Sequence, residues 1–280
     1  MNLMTEKELK ALVSLLDEED KEVLEMVEQK IYSLGASIIP YLEDEWSSQF
    51  KPEVQKRIED MIHALQYDKV IDRLRDWKDR GAAELLQGMW AVATYQYPDL
   101  EEKTLRAQID HFYFDVWQEL RDDLHPFDQV RIINSILFGK LKFKANTANF
   151  HAVANSMLNI VLESRRGNPI TLCIVYLLIA EKLKLPIHGV NLPNLFILTY
   201  KTTDLQFYIN AFNKGLIFSR TDIDNYIAQL NLTPNDTFYE PCTNLEIVKR
   251  VLRNLIVSFE KLGEADKVEE VKKLLAVIEE

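Results

Sequence analysis

A chain of 280 residues has the length of about two domains. With 47% hydrophobic and 10% aromatic residues it can build a packed core, which excludes a disordered chain. Its 33 basic against 44 acidic residues, a net charge of −11, argue against a nucleic-acid backbone or an anionic membrane as the main ligand. Two cysteines, Cys173 and Cys242, cannot form a disulfide framework. The opening stretch MNLMTEKELK is charged where a signal peptide is apolar, and the longest uncharged apolar stretch, Ile170 to Ala180, is too short to span a bilayer. A cytoplasmic protein is the expectation.

From Thr5 to about Trp77 apolar residues keep helical spacing in four segments: Leu9, Leu12, Val13 and Leu16; Val23, Leu24, Val27 and Ile31; Ile38, Ile39, Leu42 and Trp46; Val54, Ile58, Ile62 and Leu65. Gly35 and Pro52 separate them, and Asp17 to Asp20 supplies a polar turn before a helix start. Two helix pairs of this kind resemble a HEAT-type array; an ordinary helical bundle is the alternative, because such arrays need three or more repeats.

Residues 73 to 150 continue helical. Leu85, Leu86, Met89, Trp90 and Val92 form one apolar stretch, Tyr97-Pro98-Asp99 a turn, and Leu100 to about Leu120 a long helix with Phe114 and Trp117 on its inner face. A helix over 128–138 leads to the basic loop Gly139 to Lys144, which lacks the glycines of a phosphate-binding nest. His111 and His125 read as surface or packing residues. No metal-binding spacing occurs, and no cofactor is expected.

The chain is organised around the corner Arg165-Arg166-Gly167-Asn168-Pro169-Ile170-Thr171-Leu172-Cys173. Asn155 or Ser156 is placed to cap a short helix upstream, with Gly167 where that helix leaves through the left-handed conformation. Asn168 and Pro169 then supply the cap and first position of the next helix. Ile170 to Leu185 is apolar on nearly every side through Ala180, which marks a buried helix. Extended runs follow at 187–192, 195–200, 205–210 and 216–218, the last after a turn at Asn213-Lys214-Gly215. Thr221 is placed to cap a short helix to Leu230. After the linker around Pro234 and Pro241, Asn244 to Leu262 and Ala265 to Ile278 form an antiparallel helix pair broken by Gly263. The pair resembles one tetratricopeptide-type hairpin, whose apolar face would cap the core.

The run NSMLNIVLESRRGNPITLCIVYLLIAEKLKLP, followed by GVNLPNLFILTY, resembles the bacterial branch of the transglutaminase-like superfamily, relatives of papain-type cysteine hydrolases. Glu84 to Asp99 and the group Ile133, Leu137 and Phe138 also look like that branch, and the resemblance covers roughly Arg73 to Asp224. It implies an α+β fold, mostly α. The segments are a HEAT-like helical region over 1–72, a papain/transglutaminase-like core with a small antiparallel sheet over 73–240, and a tetratricopeptide-like hairpin over 241–280.

In that superfamily a Cys at the start of the buried helix attacks a carbonyl, a His on the following strand activates it, and an Asp on the next strand orients the His. The matched nucleophile position falls between Pro169 and Thr171, where there is no thiol, and Cys173 lies further along the helix. The branch's G-V-N-L-P-G-H-F reads GVNLPNLF, so the His position is Leu195, and its Asp position is Asn210. Leucine offers no lone pair to take a thiol proton. The degenerate cleft positions are therefore Thr171, Cys173, Leu195 and Asn210, with His151 and His188 as the histidines near enough in sequence to replace the lost base.

The leading expectation is a non-catalytic interaction or scaffold protein, a pseudoenzyme whose partner is a protein or peptide rather than nucleic acid or membrane. The alternative is a cysteine-dependent hydrolase or acyl transferase using Cys173 with a recruited histidine. A third reading is a sensor of a small ligand in the old cleft.

Overall fold

A computed structural model describes residues 4–121 and 123–280. They fall into two compact units, one reaching Arg73 and the other Leu74–Glu280. The chain is mostly helical, with one four-stranded antiparallel sheet.

The first unit holds α1 (Glu6–Ser14), α2 (Lys21–Leu34), α3 (Ile39–Ser48) and the first part of α4 (Pro52–Asp79). Thr5 and Glu8 close a reciprocal cap on α1, and Asp20 accepts the Glu22 N–H at 2.9 Å to open α2. The apolar stripes meet in a core that includes Leu16, Ile31, Ile38, Leu42 and Ile58, all fully buried. Trp46, expected in this stripe, is partly exposed, and its indole N–H donates to Glu59.

In the second unit Trp77 of α4 is fully buried over Gly88 of α5 (Leu85–Ala93), and its indole N–H donates to the Glu84 carbonyl at 2.8 Å. Next come α6 (Glu102–Trp117) and α7 (Pro126–Asn134), the latter continuing as a π-helical segment, Ser135–Lys140. Two of the expectations for this region are corrected. The helix expected over 100–120 is shorter at both ends. Its buried stripe is Leu105, Ile109, Phe112 and Val116, whereas Phe114 and Trp117 lie on the solvent side, each about half exposed, with their rings 5.4 Å apart.

The corner expected from Asn168 and Pro169 forms as read, but the turn before it does not. In α8 (Leu158–Ser164) the residue before the helix is Met157, and no side chain caps it; Asn155 and Ser156 belong to a preceding 3-10 turn. Arg165, not Gly167, takes the left-handed conformation, with φ of 59°. Its guanidinium lies 4.2 Å from the centre of the Phe112 ring and 5.0 Å from that of Phe143, which offsets part of the conformational cost. Gly167 serves instead in a close approach. A Cβ there would lie 2.6 Å from Thr171 Oγ1 and 3.2 Å from Val161 Cγ1. Two short strands, β1 (Lys144–Ala145) and β2 (Arg166–Gly167), pair in parallel at this point.

The helix α9 (Pro169–Lys182) is buried at every residue from Ile170 to Ala180, as its all-round apolar sequence requires. It packs on one face of a meander of β3 (Ile187–Leu192), β4 (Leu195–Lys201), β5 (Gln206–Asn210) and β6 (Leu216–Phe218). On the opposite face Val190, Leu192, Ile197 and Tyr208 pack with Ile223 and Ile227 of α10 (Arg220–Gln229). Ser219, not Thr221, caps α10. The chain closes with α11 (Asn244–Leu262), capped by Thr243 and ended by Gly263 at φ of 74°, and α12 (Ala265–Glu279), which packs against it. The apolar stripe of α11 also rests on α5. Among the described residues no helix is long and apolar enough to cross a membrane.

Candidate functional site

The start of α9 is built from a buried polar network. Asn168 Oδ1 accepts the Thr171 N–H at 3.0 Å, and Thr171 Oγ1 accepts the Asn168 N–H at 3.1 Å, a reciprocal cap. The Thr171 hydroxyl donates to the Asn155 carbonyl at 2.8 Å, and Asn168 Nδ2 donates to Ser156 Oγ at 3.3 Å. Asn155 in turn donates to the carbonyls of Asn149 and Phe150 and accepts from Asn146 Nδ2. Each group at this corner is therefore committed to holding the 146–156 loop against the helix start. Asn168→Ala removes both the cap and the bond to Ser156, and is expected to destabilise by about 1–2 kcal/mol in urea unfolding. A negligible change would show that the network holds nothing.

The degenerate positions are scattered by the fold. Thr171 is fully buried, with its proton given to Asn155. Cys173, also fully buried, points its thiol at the Phe196 carbonyl, 3.6 Å away. Burial drives its pKa well above the ordinary thiol range, against a smaller lowering by the Ala211 N–H. Leu195 packs with the α10 cluster and lines, with Asn210, Phe218 and Tyr226, a hollow of about 440 Å³. Asn210 Oδ1 accepts the Asn213 N–H at 3.1 Å and so caps the 3-10 turn Ala211–Asn213. Leu195 and Asn210 thus share a hollow on the α10 side of the sheet, and Cys173 lies on the α9 side.

The two candidate histidines are placed differently. His188 pairs with Thr199 across β3 and β4, and strand alternation puts it on the face of Val190 and Leu192, away from α9. Burial and then the Lys201 charge lower its pKa. His151 lies exposed on the loop after Phe150, at the rim of a second hollow. Cys242 is half-buried beside Gly189, and its thiol is pushed up to about 12, chiefly by burial. Among the described residues no group of three or more His, Cys, Asp or Glu side chains is placed to hold a metal ion.

That second hollow, about 110 Å³, opens at the start of α9. Ile170, at the matched nucleophile position, forms part of its floor with Phe196, and His151, Asn194, Arg250 and Asn254 supply polar lining. Arg250, from α11, donates to Asn191 Oδ1 at 3.0 Å. Sequence reading missed it. Its position beside Val251 implies a stem lying along the core, but which cavity its head enters depends on how α11 packs.

A fold of this architecture, with the start of a buried helix set against an antiparallel sheet, defines the class, and a family model supplies the name. The model of the transglutaminase-like superfamily matches residues 103–253, more than half of the chain, and the chain belongs to that superfamily. A UPF0162 protein of Xylella fastidiosa (strain 9a5c) is 27% identical over 171 residues, covering 59% of this chain and 60% of that protein. F-box only protein 21 of Homo sapiens is 26% identical over 247 residues, 77% of this chain and 38% of that protein. The UPF0162 protein YchA of Escherichia coli (strain K12) is 25% identical over 181 residues, 63% of this chain and 66% of that protein. The chain thus spans about three-fifths of the length of the Xylella protein and a smaller share of the human one. No solved structure matches it with significance.

Proposed function

We propose that this chain is a non-catalytic interaction protein, a pseudoenzyme in which a transglutaminase-like core binds a protein or peptide. The observation that carries the reading is the state of its thiol: Cys173 is fully buried, its proton is directed to the Phe196 carbonyl, and leucine stands at the matched base position. A thiol so placed lacks the exposed, electropositive setting of a nucleophile. The flanks support the same reading. The helix pairs of the 1–72 segment, read as HEAT-like, offer a helical surface to a partner, while the tetratricopeptide-like hairpin of 241–280 caps the 73–240 core. The similarity to F-box only protein 21 supports a role in protein interaction.

Two measurements on the full chain test this. Hydrolysis of p-nitrophenyl acetate is expected at the buffer rate for both the native protein and Cys173→Ser. A random dodecapeptide display library panned on the immobilised chain is expected to yield binders that Cys173→Ser retains. Ester turnover abolished by Cys173→Ser, or no enrichment over a bare surface, would overturn the reading.

A further inference from the structure

We propose that the hollow at the start of α9 is a carboxylate-binding site centred on Arg250, taking an acidic side chain of a peptide ligand. This rests on the interaction reading above and names the chemistry that the old cleft would recognise.

The hollow is two-sided. Its floor is apolar: Ile170 is fully buried where the superfamily's nucleophile would stand, and Phe196 lies beside it. Its polar lining includes Arg250, Asn194 and Asn254, with His151 at the rim. The guanidinium has one protein acceptor, Asn191 Oδ1 at 3.0 Å, and no Asp or Glu forms an ion pair with it among the described residues. Its neighbour Arg253 shows the contrast: that side chain is exposed and pairs with Glu279 at 2.7 Å. A half-buried cation costs free energy unless paired, and arginine carries five N–H donors in a fork that matches a carboxylate in two parallel bonds. One amide oxygen leaves most of that fork unused.

Elements on both sides hold the group in place. Asn191 belongs to β3, and the Tyr226 hydroxyl of α10 donates to the Pro193 carbonyl at 2.8 Å, fixing the turn between β3 and β4 against which Arg250 lies. The volume, about 110 Å³, is roughly four times a water molecule's share of liquid, room for a carboxylate on a short aliphatic stem. The apolar floor suits that stem and the guanidinium suits its head. The same site discriminates glutamate from glutamine, because an amide offers one acceptor and places an N–H₂ donor against an N–H donor.

The test uses acetyl-glutamyl-amide and acetyl-glutaminyl-amide as probes on the full chain. The arginine Nε–Hε resonances are followed by NMR to probe concentrations in the tens of millimolar. The Arg250 signal is expected to shift with the glutamyl probe. The glutaminyl probe should bind at least about ten-fold more weakly, the value of one charge-assisted hydrogen bond. Arg250→Gln should abolish the difference between probes, and Arg250→Lys should retain part of it, with each variant's fold checked by its amide spectrum. Equal binding of the two probes, a discrimination that survives Arg250→Gln, or no shift at any concentration overturns the carboxylate site. None of these outcomes bears on ester turnover or library enrichment, so the interaction reading stands or falls separately.

Discussion

Cys173 in the native chain is expected to react with iodoacetamide slower by on the order of 10³-fold or more than the same residue in the unfolded chain. Two features of the structure lead to this. The thiol has no accessible surface, so a reagent reaches it only through opening of the helix that carries it, and that helix is buried at every residue from Ile170 to Ala180. Burial also holds the thiol protonated, and the thiolate is the species that reacts. Cys242, half-buried, is the internal comparison and should label faster.

The same shifts set a pH dependence. Burial raises both thiol pKa values above their ordinary value of 9.0, well above it for Cys173 and to about 12 for Cys242. A group whose pKa is raised by folding contributes stability that is complete below its unfolded pKa and is lost as pH rises towards its folded one. The urea midpoint should therefore be insensitive to these groups below pH 9 and fall progressively above it, less steeply in Cys173→Ser. Time-resolved alkylation with assignment by mass spectrometry reads the first effect, and urea unfolding across pH reads the second. Fast native labelling of Cys173 near neutral pH, abolished by replacing His151 or His188, would restore the hydrolase alternative.

Gly167→Ala is expected to destabilise the chain by roughly 2–3 kcal/mol, in the upper range for a methyl forced into a packed site. The added Cβ would stand 2.6 Å from Thr171 Oγ1, which is fixed by its bonds to Asn155 and Asn168, and 3.2 Å from Val161 Cγ1. Neither neighbour is the free end of a flexible chain, so the methyl must displace the cap network or α8. Gly139→Ala is the control. Nothing lies within 4 Å of its Cβ position and its φ is not in the left-handed region, so it should be neutral or stabilise by up to about 1 kcal/mol. Urea unfolding of both variants separates contact from backbone entropy, and equal effects would mean that the corner is not packed as described.

Much of the fold is legible because its signals are local. Asn168 and Pro169 mark the start of α9 within one helical turn, and the uninterrupted apolar run from Ile170 to Ala180 has no polar face to leave in water, so its burial follows from the sequence itself. The four strands and the α11–α12 pair, stopped by Gly263, follow from alternation and helical spacing in the same way. Membership of the transglutaminase-like superfamily was legible too, because its motif runs continuously through the corner.

What depended on tertiary structure involves partners distant in the chain. Gly167 could be read as a turn residue, but only the approach of Thr171 and Val161 shows that it is small to admit them, while the left-handed turn falls two residues earlier, on an arginine supported by two aromatic rings. Phe114 and Trp117 are apolar and so looked inward; the stripe through Leu105, Ile109, Phe112 and Val116 already fills the inner face and leaves the two rings outside. The candidate site shows the same limit most clearly. A motif names the residues at the old catalytic positions, but strand parity puts Leu195 and Asn210 on the α10 face, and the packing of α11 brings Arg250 to the start of α9 from some eighty positions away. Spacing along a chain fixes which side of an element a residue occupies, and only the docking of elements decides what that side meets.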